Sequence, residues 1–170
     1  TAALLATSNA NDFGGLEVLA MRFIRQHPDA GMGWAALGLA LIRQERFRDA
    51  LEPLRTAARL LPKDASSLSN LGFALVRLNL RKQAEAALRK AIERDPQFVS
   101  ALVNLGGLLV KQQRHVEAEP FLLRSLQLNP ASFDALNNLA VAKEAQGKAH
   151  DAIAVLTQAS RLSPSDVSVL

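Results

Sequence analysis

The 170-residue sequence contains no cysteine and no tyrosine, a single tryptophan, and only 5% aromatic residues in all. Without cysteine it can hold no disulfide, no cysteine-ligated zinc or iron–sulfur cluster, and no thiol nucleophile. Because secreted chains can also lack cysteine, this leaves the compartment open, with the cytoplasm favoured and a bacterial periplasm as the alternative. No apolar run approaches the roughly 20 residues that a membrane-spanning helix needs. No signal-peptide pattern stands at the start of the sequence. A basic run is missing too: no contiguous stretch exceeds a pair such as Arg81-Lys82. The net charge of +4, from 20 Lys and Arg against 16 Asp and Glu, is spread among interleaved acids. That describes a mildly cationic surface and gives no sign of a nucleic-acid partner. With 49% hydrophobic and 21% charged residues, the composition is that of a folded chain.

What the sequence does have is a period. Pro28, Pro62, Pro96, Pro130 and Pro164 recur at a constant step of 34 residues. If these prolines hold position 32 of a 34-residue unit, the units run 31–64, 65–98, 99–132 and 133–166. A partial unit (1–30) precedes them, and the start of a further one (167–170) follows. Other columns keep the register without an insertion. Position 8 reads Gly38, Gly72, Gly106, Ala140; position 20 reads Ala50, Ala84, Ala118, Ala152; position 24 reads Leu54, Leu88, Leu122, Leu156.

Within a unit, apolar columns 4, 7, 8 and 11 mark one face of a helix, and columns 20, 24, 27 and 28 mark a second. Short polar turns such as Gln44-Glu45-Arg46 separate the two, and the proline at position 32 ends the second. The spacing predicts paired helices near 31–44 and 47–60, 65–78 and 81–94, 99–112 and 115–128, and 133–146 and 149–162. An N-terminal pair should precede them, with a remnant first helix at Thr1 to Thr7 and a second near 14–26. Small residues at positions 8 and 20 are expected to meet where the helices cross, Gly72 against Ala84 among them. Pro53 and Pro120 should sit near the first turns of second helices, where a missing N–H costs least. A chain that starts without Met and stops mid-helix reads as a piece of a longer protein.

The pattern Trp34-x-x-Leu37-Gly38, Ala50, Leu54, Ala57, Pro62, followed by three successors, resembles the tetratricopeptide repeat (TPR). Position 11, often Tyr in that family, is Leu41, Leu75, Leu109 and Lys143 here. The resemblance covers Gly31 to Asp166. It implies an all-α, right-handed superhelical solenoid of antiparallel helix pairs, with first helices lining a concave groove that takes an extended peptide or partner segment.

Read along the columns that would line such a groove, position 6 is Ala36, Asn70, Asn104, Asn138 and position 5 is Ala35, Ser69, Val103, Asn137. Position 9 is Leu39, Phe73, Gly107, Val141, and position 13 is Arg43, Arg77, Lys111, Ala145. A carboxamide both donates and accepts, so a row of Asn could hold a peptide backbone without reading its side chains. The column also resembles the asparagine ladder in the TPR region of O-linked N-acetylglucosamine transferases. Equally, such amides could bond neighbouring helices and serve the scaffold. The cations of position 13 could favour an acidic ligand or simply offset helix dipoles. The chaperone-type carboxylate clamp is disfavoured, because positions 2 and 6 of the late units are Ser100, Asn104, Asp134 and Asn138.

No catalytic set emerges. His27, His115 and His150 lie far apart in the repeat lattice, and no metal-ligand spacing or phosphate loop is present. No cofactor is expected. Two functions follow: a non-catalytic protein–protein interaction scaffold, or a TPR targeting or dimerisation arm of a larger enzyme such as a bacterial glycosyltransferase. The excess of Arg over Lys, 14 to 6, suits a GC-rich bacterial genome. The apolar Ile153, Val155 and Leu156 of the last complete helix suggest self-association through a repeat end.

Overall fold

A computed structural model describes residues 12–162; the expected first-helix remnant at 1–7 and the repeat start at 167–170 fall outside them. Among the described residues the chain is all helical. The helices are α1 (Phe13–Gln26), α2 (Gly31–Arg43), α3 (Phe47–Leu60), α4 (Ala65–Arg77), α5 (Arg81–Arg94), α6 (Val99–Lys111), α7 (His115–Leu128), α8 (Phe133–Ala145) and α9 (Ala149–Leu162). They divide into two compact units, one ending at Pro96 and one beginning at Gln97. Within each unit every helix packs on the next in sequence. First helices also touch one another, α2 against α4 in the first unit and α6 against α8 in the second.

Each first helix stops one residue short of the sequence expectation, and the turn explains why. Glu45, Asn79, Gln113 and Gly147, all at position 15, take positive φ of 58°, 58°, 62° and 75°. The next N–H reaches back to the fifth residue before it: Arg46 to Leu41, Leu80 to Leu75, Arg114 to Leu109, each at 2.9 Å, and Lys148 to Lys143 at 3.0 Å. This is a Schellman closure, which satisfies carbonyls that the helix end would otherwise leave open. Side-chain caps occur at other ends. Asp64 accepts from the N–H groups of Ser66 and Ser67, Ser132 from that of Ala135, and Asp12 from that of Gly15.

The crossing inside each repeat is tighter than the column pattern suggested, and its partner differs. A Cβ on Gly72 would stand 2.5 Å from Leu88 Cγ, so Gly72 faces Leu88 rather than Ala84. Gly38 meets Leu54, and Gly106 meets Leu122, at the same 2.5 Å. These leucines are 0% exposed and form the floor of the core. The absent side chain lets the first helix settle onto the leucine's isobutyl group, a close fit of the kind interiors maintain. Pro53 and Pro120 lie in the second turns of α3 and α7 rather than the first. Each forfeits one helical N–H bond.

Candidate functional site

The first helices α2, α4, α6 and α8 carry the columns singled out above. Asn70, Asn104, Asn137 and Asn138 are all half-buried. None of the four side chains makes a hydrogen bond to another described residue. In the second unit the Asn138 amide rests beside Gly107; its Nδ2 would stand 3.1 Å from a Cβ built there. Glycine at position 9, where the other units have Leu39, Phe73 and Val141, makes room for that carboxamide.

Ser69 behaves differently. It is 1% exposed, and its Oγ has no hydrogen-bond partner among the described residues. Small and polar at a column shared with Ala35, Val103 and Asn137, it reads as a surface residue in sequence but sits within the packed interior.

In the first unit the cations of position 13 have aromatic partners. The Arg77 guanidinium lies over the Phe47 ring, 4.6 Å from its centroid, and Arg43 lies over Phe13 at 5.8 Å. Phe47 in turn meets Phe73, of position 9, edge-on at 6.0 Å. Arg77 also approaches Glu45 at 3.9 Å, the limit of an ion pair between exposed groups. Lys111 is exposed at the end of α6. Sequence reasoning missed Phe13 and Phe47. The signal was there, since they are 34 residues apart and both open second helices, but a lone pair of aromatics in a column does not announce a cation partner.

Two half-buried carboxylates tie neighbouring repeats together from equivalent positions. Glu17 accepts from Gln44 Nε2 at 2.8 Å and from Arg46 at 2.8 Å. Glu119 accepts from Lys143 Nζ at 2.7 Å and Gln146 Nε2 at 3.0 Å, with Lys148 Nζ at 3.7 Å. The Gln44 hydrogen bond, helped by Arg46, holds the Glu17 carboxyl below the usual carboxylate range. The Lys143 hydrogen bond does the same for Glu119, and Glu119 reciprocally raises Lys143. These pairs are structural joints between neighbouring repeats.

Among the described residues no group of three His, Asp or Glu is placed to hold a metal ion. None of the described helices is long and apolar enough to cross a membrane.

Three comparisons bear on this architecture. No curated protein matches the sequence. Among solved structures the chain is similar to a MamA protein, with a TM-score of 0.79 and 19% identity over 98% of this chain and 93% of that one. It is similar to YrrB, described as a TPR protein with an unusual peptide-binding site, with a TM-score of 0.75 and 20% identity over 96% and 84%. It is also similar to PilF of Pseudomonas aeruginosa, with a TM-score of 0.74 and 27% identity over 82% and 64%. A tetratricopeptide-repeat family model matches residues 19–65, and the model described as the cilia and flagella-associated protein 70 middle TPR-like domain matches residues 56–163. The chain belongs to the tetratricopeptide-repeat family represented by that middle TPR-like domain, an all-α helical repeat array of the protein-interaction type.

Proposed function

We propose that the chain is a non-catalytic interaction scaffold whose first helices hold an extended peptide or partner segment. In the first unit Asn70 grips the peptide backbone, Phe73 flanks it, and Arg43 and Arg77 border it; in the second unit Asn104 and Asn138 grip it, Asn137 flanks it, and Lys111 borders it. The single observation that carries this reading is the unsatisfied state of the carboxamides. A half-buried amide with no partner among the described residues keeps two donors and an acceptor for a ligand. Amides serving the scaffold would already be bonded to adjacent helices. The description of YrrB as a peptide-binding TPR protein supports the same reading by likeness of fold.

Each amide–peptide bond should contribute about 1 kcal/mol, so losing Asn70 weakens the first unit's grip about fivefold, and losing Asn104 and Asn138 weakens the second unit's about thirtyfold. The test uses a pool of fluorescein-labelled random ten-residue peptides and the Asn70→Ala, Asn104→Ala, Asn138→Ala triple variant. The expected result is lost binding with an unchanged melting temperature. A lower melting temperature with unchanged binding would overturn the proposal.

A further inference from the structure

The cations of the first unit have a construction that a solvated helix end does not need. Arg43 and Arg77 close α2 and α4, and each guanidinium is laid over a phenylalanine that opens the second helix of the preceding repeat. Phe13 supports Arg43, Phe47 supports Arg77, and both pairs recur at the same repeat positions, 34 residues apart. A ring beneath the guanidinium plane restrains a side chain that otherwise loses much rotamer freedom on binding. A ring contact uses the face of the fork, whereas a carboxylate is gripped by its N–H edge with two parallel bonds. Among the described residues Arg77 has one weak competitor: Glu45, 75% exposed in its side chain and 3.9 Å away. Such an exposed pair contributes little and is readily displaced. One turn before each cation on the same helices stand Leu39 and Phe73, both half-buried, an apolar floor rather than a further charge.

We infer that the first-helix face of the first unit takes an acidic, extended peptide, one carboxylate docking on Phe13-backed Arg43 and another on Phe47-backed Arg77. This rests on the scaffold reading and narrows it to a ligand class. Equivalent residues on adjacent packed helices stand about 10 Å apart. An extended chain advances about 3.3 Å per residue, so the two acids are about three residues apart in the ligand. The residues between them face the Leu39–Phe73 floor and are apolar. The second unit cannot repeat the device within itself, because its corresponding positions are His115 and Ala145.

The experiment uses three fluorescein-labelled nine-residue peptides of Ala and Leu. One carries two Glu three positions apart, one carries two adjacent Glu, and one has Gln in place of both spaced Glu. In low salt the spaced acidic peptide should bind at least tenfold tighter than the Gln peptide and severalfold tighter than the adjacent one. The preference should shrink as salt rises. Arg77→Gln and Arg43→Gln should each remove most of the acidic preference, and Phe47→Leu should weaken it while leaving the charge in place. Glu45→Gln, which frees Arg77 of its competitor, should strengthen binding two- to threefold, a gain that a damaged fold could not produce. Equal binding of the acidic and Gln peptides, with both lost in the asparagine triple variant, overturns the inference and leaves the scaffold reading standing. An acidic preference that survives both arginine substitutions also overturns it. Binding of none of the three peptides overturns both.

Discussion

The Asn138 carboxamide occupies space that a side chain at Gly107 would claim: its Nδ2 would stand 3.1 Å from a Cβ there. The contact is with the far end of a flexible side chain that holds no other described partner, so the amide can yield. Gly107 lies inside α6, where Ala is favoured over Gly by about 1 kcal/mol. Gly107→Ala should therefore stabilise the protein by up to about 1 kcal/mol in urea melts. It should also weaken peptide binding by turning the Asn138 amide aside. Destabilisation would show that the Asn138 amide is fixed rather than free.

The neighbouring glycine should respond in the opposite sense. A Cβ on Gly106 would meet Leu122 at 2.5 and 2.6 Å, and Leu122 is 0% exposed with nowhere to move. Gly106→Ala should cost about 1–3 kcal/mol through overpacking. Two adjacent glycines of one helix, changed identically, thus separate the core face from the open face in a single denaturation series.

Backbone conformation alone decides a third case. Gly147 has φ of 75° and open space around its Cα. Gly147→Ala should cost about 1 kcal/mol from left-handed strain, with no steric contribution. At the equivalent turn Gln113 already bears that strain, so Gln113→Gly should be neutral or stabilise by up to about 1 kcal/mol. Thermal melts of the two single variants check both signs.

Glu17 and Glu119 make stability depend on acid. A carboxyl whose folded pKa lies below its unfolded one stabilises the fold above the unfolded value, and the contribution fades as pH falls through the folded one. Both start from an ordinary value of 4.5, so the loss begins near there and deepens toward lower pH. Lys143, raised above its ordinary 10.5, works in the reverse window: its contribution is full below that value and fades as pH climbs through the raised one. Glu119→Gln should reduce the urea midpoint at pH 7, and the gap to the parent protein should narrow steadily as pH falls below 4.5. A gap of constant size across that range would exclude the ion pair as its cause.

Much of this architecture was legible in the sequence, and the illegible parts share a cause. The proline step and the small-residue columns locate every described helix to within a residue, because helix pairs of fixed length leave no freedom in where their ends fall. The left-handed residue at position 15 was not legible. Glu45, Asn79 and Gln113 look like ordinary polar turn residues, and only Gly147 carries the conformation in its identity. Gly72 pairing with Leu88 rather than Ala84 depends on the rotation of two helices about their axes, which a column of small residues does not determine. The asparagine column was visible as residue type and register. Whether its amides were already engaged was not, since Asn is equally suited to bonding a helix or a ligand. Ser69 was misplaced for the same kind of reason: a small hydroxyl fits either face.

Apolar side chains on α9 carry a further consequence. Ile153 is 61% exposed and Leu156 44% exposed on a helix that closes the described array. Sedimentation should show concentration-dependent self-association that Ile153→Glu reduces. A monomer at all concentrations would refute the expectation.

The central claim is that the carboxamides of Asn70, Asn104 and Asn138 are free for a ligand, and the side-chain NH2 signals of asparagine report on this directly. Each pair can be assigned in a proton–nitrogen correlation spectrum by its loss in the corresponding Asn→Ala variant. On titration with the pooled ten-residue peptides, each of those three pairs should move and saturate. Saturable binding that leaves all three pairs in place, while signals elsewhere move, would contradict the account.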